Sequence, residues 1–100
     1  MSILVRFAPA SMTTAQYEAI KEAVMGGEST PPDGAELHVC FGSEGHLRVS
    51  EVWASREQFD VFAKRLMPAI RDAGVEDHEP EFFEVHALMV TGAGQQPTTA

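Results

Sequence analysis

The sequence predicts a single α+β domain in which strands and helices follow one another as β-α-β-β-α-β. Short runs rich in branched or alternating apolar residues occur near both ends and in the middle of the chain, as is typical of strands. Two longer stretches between them repeat their apolar residues with the period of a helix. The chain of 100 residues is long enough for one modest core and too short for two.

The first strand is predicted over residues 2–8, which are rich in branched aliphatic side chains. Residues 12–27 then change to helical period. Thr13 and Gln16 have the spacing of a capping box, which marks the start of this helix. Gly26 is expected to end it, because a residue without a Cβ adopts the left-handed cap conformation at little cost.

A loop over residues 28–34 leads into a predicted hairpin. Its strands are expected over 35–41 and 46–54, joined by a short turn that contains two glycines. We expect Phe41 to lie opposite Leu47 across this hairpin. That register fixes which side chains of each strand face the helices.

Ser55 and Gln58 have the spacing of a second capping box, followed by a broad apolar stripe at helical period. Pro68 interrupts this stripe, so a kink or a restart of the helix is expected there. The helix is expected to end at Gly74, and the last strand is predicted over residues 81–90.

This order of elements is that of the ferredoxin-like βαββαβ sandwich. Right-handed crossovers place the first and third strands in the centre of the sheet and the second and fourth at its edges. The domain is expected to cover residues 1–90. The polar residues 91–100 are expected to form a flexible C-terminal tail.

Alternation along the strands predicts one apolar sheet face under the helices and one mixed face. The helix-facing set is expected to include Leu37, Val39, Phe41 and Phe83. The mixed face is expected to carry an apolar patch consisting of Leu4, Val52, Phe82, Leu88 and Val90. A patch of several hundred Å² is near the upper limit for a monomer, so a second copy of the sheet is expected to cover it.

Composition excludes several partners. The net charge of −8 disfavours nucleic acid, and the scattered Lys and Arg residues disfavour an anionic membrane surface. Cys40 is the single cysteine, which rules out an internal disulfide and fits a reducing cytoplasm. No basic leader or membrane-spanning run is apparent, so a cytoplasmic location is predicted.

Residues 51–59, EVWASREQF, contain a V-W-x-S junction that leads into an F-x-x-F helix. With the order of elements, residues 1–90 resemble the dimeric α/β-barrel superfamily, and within it the antibiotic-biosynthesis monooxygenase-like branch. The resemblance implies a homodimer that pairs two sheets into a barrel, with a cleft for an apolar or aromatic small molecule in each protomer. Functions in this superfamily include cofactor-independent oxygenation of polyketides, haem degradation, isomerisation and decarboxylation.

The resemblance is incomplete on the second helix. Members of that branch often carry a His there, whereas this chain has Phe62 at the corresponding place. No haem ligand is therefore expected from the helix, and no cofactor is predicted.

His38 and His86 are the first catalytic candidates, together with Glu84 and Arg6 on the same predicted face. A neutral imidazole can take or give a proton near pH 7, and an adjacent carboxylate fixes its tautomer. The two histidines lie on opposite edges of the predicted sheet. The alternative is that both only form hydrogen bonds within a dimer interface.

A metal site is not expected. His38 and Cys40 form an H-x-C pair, but a zinc site normally needs at least three protein ligands. Cys40 is expected to act as a small hydrophobic residue. His46 and His78 are expected to be solvated.

Glu51 and Trp53 are predicted on the helix-facing side at the end of the third strand. For Trp53 we expect a core plug whose indole N–H binds a carbonyl group. Glu51, an acid among apolar neighbours, is expected to be either a general base or the ion-pair partner of Arg56 or Arg6.

Four aromatic side chains provide a functional alternative to the core plug. An aromatic-walled cleft for a flat ligand would be lined by Tyr17, Trp53, Phe59 and Phe62. The functional hypothesis is a cofactor-independent monooxygenase or isomerase that acts on an aromatic or polyketide-like molecule. Its rival is a non-catalytic ligand-binding or stress-associated dimer.

Overall fold

The computed structural model describes residues 1–27 and 30–91 of the chain. Its elements, in chain order, are β1 (Ile3–Phe7), α1 (Thr14–Met25), β2 (Ala35–Phe41), β3 (Arg48–Trp53), α2 (Arg56–Asp72) and β4 (Glu81–Glu84). The predicted order β-α-β-β-α-β is confirmed. The first two residues of the predicted loop 28–34 and almost all of the predicted flexible tail lie outside the described residues.

The four strands form one antiparallel sheet in the order β2-β3-β1-β4. β1 and β3 are therefore central and β2 and β4 are the edges, as predicted. Both helices pack on the same face of this sheet. The core between them consists of Val5, Phe7, Met12, Ile20, Val24, Leu47, Val49, Trp53, Phe59, Phe62, Leu66, Ala69, Ile70 and Val75.

Helix α1 begins with the predicted capping box. The Thr13 side chain accepts a hydrogen bond from the backbone N–H of Gln16 at 3.1 Å, and the Gln16 side chain accepts one from the backbone N–H of Thr13 at 2.9 Å. At the other end Gly26 adopts φ 56° and donates its N–H to the carbonyl of Glu22 at 2.8 Å. Local sequence alone therefore fixes both ends of this helix.

Helix α2 runs without a break through Pro68, so the predicted restart is wrong. Pro68 cannot donate to the carbonyl of Lys64, but both residues are exposed, and water can satisfy that carbonyl. Leu66 and Ile70, on either side of the proline, are buried and hold the helix against the sheet. Packing therefore overrides the local cost of the proline.

The register between β2 and β3 differs from the prediction by one residue. Phe41 lies opposite Arg48 instead of Leu47. Leu47 does not pair with β2, because its side chain is buried and its N–H donates to the carbonyl of Met12 at 3.1 Å. Gly42 permits this wider turn with φ 115°, where a Cβ would approach the carbonyl oxygen of His46 to 2.6 Å.

This shift reverses the predicted faces of β2. His38 now lies opposite Glu51 and Cys40 opposite Val49, which places both on the helix-facing side. Leu37, Val39 and Phe41 lie on the other face, contrary to the prediction. The hydrogen bonds of residues 42–47 to the loop before α1 therefore decide what β2 presents to the helices.

The faces of β4 are also reversed relative to the prediction. Phe82 pairs with Val5 and packs against Phe59 on the helix-facing side, with ring centroids 5.6 Å apart. Phe83 pairs with Leu4 on the opposite face and is 50% exposed.

The last strand is shorter than predicted and ends at Glu84, which pairs with Ile3. Just after that pair the Val85 N–H donates to the carbonyl of Ser2 at 3.0 Å. The apolar residues 88–90 lie past the strand and are exposed.

We refer to the sheet side away from the helices as the open sheet face. Its apolar members are Leu4, Leu37, Val39, Phe41, Val52 and Phe83. Val52 is already buried within the chain, whereas Val39, Phe41 and Phe83 are exposed. The face is mixed, as predicted, but of its six apolar members only Leu4 and Val52 belong to the predicted set. Within the described part of the chain no helix is long and apolar enough to cross a membrane.

Candidate functional site

A cavity of about 400 Å³ lies between the helix-facing side of the sheet and the two helices. Most of its lining is apolar, with side chains from β1, β3, α1 and α2. The polar and charged lining residues are Tyr17, Lys21, Glu36, His38, Glu51 and His78. An apolar cavity with a few polar groups on its wall is the usual form of a small-molecule site.

Three elements bring the central polar groups together. Glu51 and Trp53 are two residues apart on β3 and therefore point to the same side. The register of the hairpin sets His38 of β2 directly opposite Glu51. Tyr17 lies on α1 one turn after the cap, and its hydroxyl reaches the imidazole of His38.

These four side chains form one continuous chain of hydrogen bonds. The Tyr17 hydroxyl lies 2.7 Å from His38 Nε2, and His38 Nδ1 lies 2.8 Å from Glu51 Oε2. The Trp53 indole N–H donates to Glu51 Oε1 at 3.0 Å. Both carboxylate oxygens of Glu51 therefore have partners.

The partners determine the tautomer of His38. A carboxylate only accepts hydrogen bonds, so Nδ1 of His38 carries a proton and donates to Glu51. In neutral His38 the Nε2 atom is then an acceptor and takes the hydroxyl proton of Tyr17 in a hydrogen bond. The Tyr17 oxygen keeps its lone pairs for a further donor.

The members of this chain of hydrogen bonds differ in their exposure to solvent. The Glu51 side chain is 9% exposed, whereas the His38 side chain is 46% exposed because β2 is an edge strand. A buried carboxylate is costly unless its oxygens are bonded, and Trp53 and His38 meet that need. The chain of hydrogen bonds thus links the interior of the cavity to solvent.

Burial raises the pKa of Tyr17 to about 12, with further contributions from the carboxylates of Glu18 and Glu51 and, at alkaline pH where it ionises, from the thiol of Cys40. The Tyr17 hydroxyl therefore stays protonated at neutral pH and acts through its proton and lone pairs. Burial, followed by the charge of Glu18, also raises the pKa of the Cys40 thiol. Thiolate chemistry is disfavoured at this position, and Cys40 packs against the core as expected.

Trp53 combines both predicted roles. It is 1% exposed and packs against Phe59 and Phe62, with ring centroids 5.7 Å and 5.1 Å away, and it also lines the cavity. Its indole N–H binds the carboxylate of Glu51 rather than a carbonyl group, so that detail of the prediction is wrong.

Three of the four predicted aromatic residues line the cavity, namely Tyr17, Trp53 and Phe62. Phe59 does not line it. This ring lies deeper in the core, where its centroid is 6.2 Å from that of Phe7 and 5.6 Å from that of Phe82.

The predicted cationic partners of Glu51 are wrong. Arg56 pairs with Asp60 at 3.0 Å, and Arg6 pairs with Glu81 at 3.1 Å. The partner of Glu51 is His38, which a correct hairpin register would have revealed from the sequence.

The structure separates the other predicted site residues from this group. His86 lies beyond the end of β4, is exposed, and is not among the residues that line the cavity. Glu84 is exposed at the end of β4. Among the described residues no group of three or more His, Cys, Asp or Glu side chains could hold a metal ion.

His78 is not solvated as predicted. Its ring packs edge-on against Phe7 at 5.9 Å and contributes to the cavity wall. Nδ1 donates to the carbonyl of Glu76 at 3.0 Å, and Nε2 is buried without a hydrogen-bond partner among the described residues.

Solved structures share this fold at low sequence identity. A candidate antibiotic biosynthesis monooxygenase from Chloroflexus aurantiacus J-10-fl is 17% identical, with a TM-score of 0.56 over 91% of this chain and 100% of that one. A second candidate of the same kind, from Deinococcus radiodurans, is 16% identical, with a TM-score of 0.57 over 92% and 100% of the two chains. SnoaB, a cofactor-independent oxygenase from Streptomyces nogalater, is 16% identical, with a TM-score of 0.54 over 88% and 94%.

No protein-family model matches the chain, and no curated protein matches it in sequence. The chain has the ferredoxin-like fold of antibiotic biosynthesis monooxygenase-like proteins. The predicted resemblance is therefore confirmed for the fold. At these identities a shared fold carries no assignment of chemistry, which has to come from the site.

Proposed function

We propose that this protein is a cofactor-independent enzyme that removes a proton from an aromatic or polyketide-like small molecule, as a monooxygenase or an isomerase. One observation carries the proposal: His38, which is half exposed to solvent, is hydrogen-bonded on one side to Tyr17 in the wall of an apolar cavity and on the other to the buried carboxylate of Glu51. A base on the wall of an apolar cavity, oriented by a carboxylate, is an arrangement that suits general base catalysis.

The proton transfer follows from the polarity of the hydrogen bonds. A substrate proton moves to the Tyr17 oxygen while the hydroxyl proton of Tyr17 moves to Nε2 of His38. The high pKa of Tyr17 disfavours a free phenolate, so the two transfers occur together. Glu51 stabilises the imidazolium that results, and the exposed ring of His38 returns the proton to water.

The substrate anion then has two possible fates. Return of a proton at a different atom completes an isomerisation. In the other fate the carbanion adds O₂, the peroxide anion takes up a proton, and the hydroperoxide loses water to leave a carbonyl in place of the CH₂ group, which completes a monooxygenation. SnoaB, which shares the fold, is a cofactor-independent oxygenase, and this supports the second fate.

Anthrone is a suitable probe because its CH₂ group is acidic and its anion reacts with O₂ to give anthraquinone and water. We expect the protein to accelerate O₂ uptake and anthraquinone formation. Under nitrogen and in D₂O it should instead accelerate deuterium exchange at the CH₂ group. Exchange without O₂ uptake in air would favour the isomerase over the oxygenase.

Two variants are compared with the wild type: His38→Ala tests the site, and His86→Ala is its matched control. The first should lower both rates by about 10²-fold or more, because it removes the imidazole that accepts the hydroxyl proton of Tyr17. The second should change neither, because His86 is not part of the cavity lining. Equal rates in all three proteins, or no acceleration by the wild type of either reaction, would refute this chemistry for anthrone-like substrates.

The alternative is a non-catalytic ligand-binding or stress-associated dimer. One observation favours it: both oxygens of Glu51 are bonded within the protein, as a purely structural carboxylate would be. In that case compounds should bind in the cavity without exchange of their protons. The anthrone experiment separates the two functions.

We also propose that the protein is a cytoplasmic homodimer that pairs through the open sheet face. Val39, Phe41 and Phe83 expose 41%, 41% and 50% of their surface on this face, and burial of such side chains favours association. The single cysteine, Cys40, suits a reducing compartment.

Sedimentation tests the dimer directly. The wild type should sediment as a dimer, and Phe41→Glu should sediment as a folded monomer. Val61→Glu serves as the control, since Val61 is 67% exposed on α2, away from the open sheet face. A wild-type monomer at micromolar concentration would overturn the pairing.

A further inference from the structure

We propose that the cavity selects neutral aromatic compounds that carry a hydroxyl group and that it excludes aromatic carboxylates. The inference rests on the proposed site, but it concerns binding alone. It can therefore fail or hold independently of turnover.

The distribution of charge in the cavity lining carries the first half of the inference. Three formally charged side chains contribute to the described lining. Lys21 is exposed and paired with Glu18 at 3.2 Å, and Glu36 is exposed and accepts a hydrogen bond from Ser2 at 2.7 Å. The third, Glu51, is the buried charge of the lining, and it is negative.

A carboxylate that enters this cavity loses its water, and the one ammonium group of the described lining, Lys21, is already paired with Glu18. His78 is bonded through Nδ1 to the carbonyl of Glu76, which leaves Nε2 of the neutral ring as an acceptor and not as a donor to a carboxylate.

A ligand carboxylate also approaches the carboxylate of Glu51 in an apolar setting, where repulsion between like charges is strong. The same surroundings act on Tyr17, since burial and nearby negative charges raise the pKa of its hydroxyl to about 12. Surroundings that disfavour the phenolate form of Tyr17 also disfavour a negative charge on a ligand beside it.

The hydrogen bonds carry the second half. The hydroxyl proton of Tyr17 is committed to His38 Nε2 at 2.7 Å when His38 is neutral. The Tyr17 oxygen then offers lone pairs to the cavity and no proton. A ligand hydroxyl can donate to those lone pairs, whereas an ether or a carboxylate oxygen can only accept.

Three naphthalene derivatives of similar size separate these effects at pH 7. 2-Naphthol is neutral and donates a hydrogen bond, 2-methoxynaphthalene is neutral and only accepts, and 2-naphthoate is an anion. The sequence of 100 residues contains one tryptophan, Trp53, which lines the cavity, so its indole N–H resonance reports occupancy in NMR titrations. We expect 2-naphthol to bind at least about tenfold more tightly than either of the others.

Two variants assign the preferences to their residues. Tyr17→Phe removes the hydroxyl acceptor, and combining it with His38→Ala prevents the freed Nε2 of His38 from replacing it. The affinity of this double variant for 2-naphthol should fall to that for 2-methoxynaphthalene. Glu51→Gln removes the buried charge and should narrow the difference between 2-naphthol and 2-naphthoate. If Glu51→Gln fails to fold, the wild-type titrations and the double variant still decide the inference.

Lys21→Ala is the matched control for charge at the mouth of the cavity. It should leave the order of the three affinities unchanged, because Lys21 is exposed and already paired.

The inference is overturned if 2-naphthoate binds as tightly as 2-naphthol, if 2-methoxynaphthalene does so, or if none of the three shifts the Trp53 resonance. A protein that shows the expected selectivity but no proton exchange from anthrone would keep this inference and lose the proposed catalysis. Proton exchange from anthrone without the expected selectivity would support the proposed catalysis and overturn this inference.

Discussion

The two edges of the sheet offer a direct comparison, because each was predicted to supply a catalytic histidine. At one edge, His38 of β2 faces Glu51 on the neighbouring strand and forms hydrogen bonds to both Glu51 and Tyr17. At the other edge, His86 lies beyond the last residue of β4 and is exposed. The sequence alone does not distinguish the two histidines, since both were predicted on edge strands and on the same face of the sheet.

The difference arises from the neighbouring strand rather than from the histidine. β2 lies beside the full length of β3, which places a carboxylate opposite His38. β4 pairs with β1 only as far as Glu84, which lies opposite Ile3, so among the described residues no strand places a carboxylate opposite His86. Whether a histidine on an edge strand can form a catalytic site therefore depends on which side chains the neighbouring strand places opposite it.

The largest effect on this comparison is expected from removing the packing under the β2 edge. Trp53→Ala should lower the free energy of unfolding by about 3–5 kcal/mol, because it empties the core beside Phe59 and Phe62 and removes a hydrogen bond to Glu51. Denaturant titration measures this loss. Val61→Ala, at an exposed position of α2, should cost about 0.5 kcal/mol or less. Similar costs for both variants would show that Trp53 is not a core residue.

A smaller effect is expected from neutralising one carboxylate at each edge. Glu51→Gln should lower the free energy of unfolding by about 1–3 kcal/mol, since an amide can accept from only one of the two donors, His38 and Trp53.

Glu84→Gln is the matched change at the β4 edge, where the side chain is exposed, and it should cost about 0.5 kcal/mol or less. Thermal unfolding of the two variants side by side measures the contrast. Equal melting temperatures would remove the distinction drawn between the edges.

The smallest effect is expected from the pH dependence of Tyr17. Its pKa is about 12 in the folded protein and about 10 in an unfolded chain, so the folded state holds its proton more tightly. The stability due to this difference is fully present below pH ~10 and is lost as the pH rises from ~10 to ~12. Two pKa units correspond to about 2.7 kcal/mol, which solvent screening of this half-buried ring reduces to about 1–2 kcal/mol.

Tyr17 is the one tyrosine of the chain, so the ultraviolet absorbance of tyrosinate follows this residue alone. In Tyr17→Phe the alkaline loss of stability should be weaker by the same amount. A midpoint near pH 10 in the folded wild type would contradict the burial of the hydroxyl beside His38.

Much of the fold could be predicted because its signals are local. The capping box at Thr13, the glycine cap at Gly26 and the apolar stripe of α2 depend on residues within one or two turns of each other. Trp53 and Glu51 were placed on the correct side of β3 because alternation along one strand needs no knowledge of its neighbours.

The tertiary structure alone decided how the strands meet. The sequence near the hairpin is compatible with a turn of either length, and a change of one residue exchanges the two faces of β2. The choice comes from residues distant in the chain, since Leu47 is held by the carbonyl of Met12 and buried in the shared core. Because that contact fixes the register, it also sets His38 opposite Glu51, and the candidate site exists only through a pairing that no local pattern specifies.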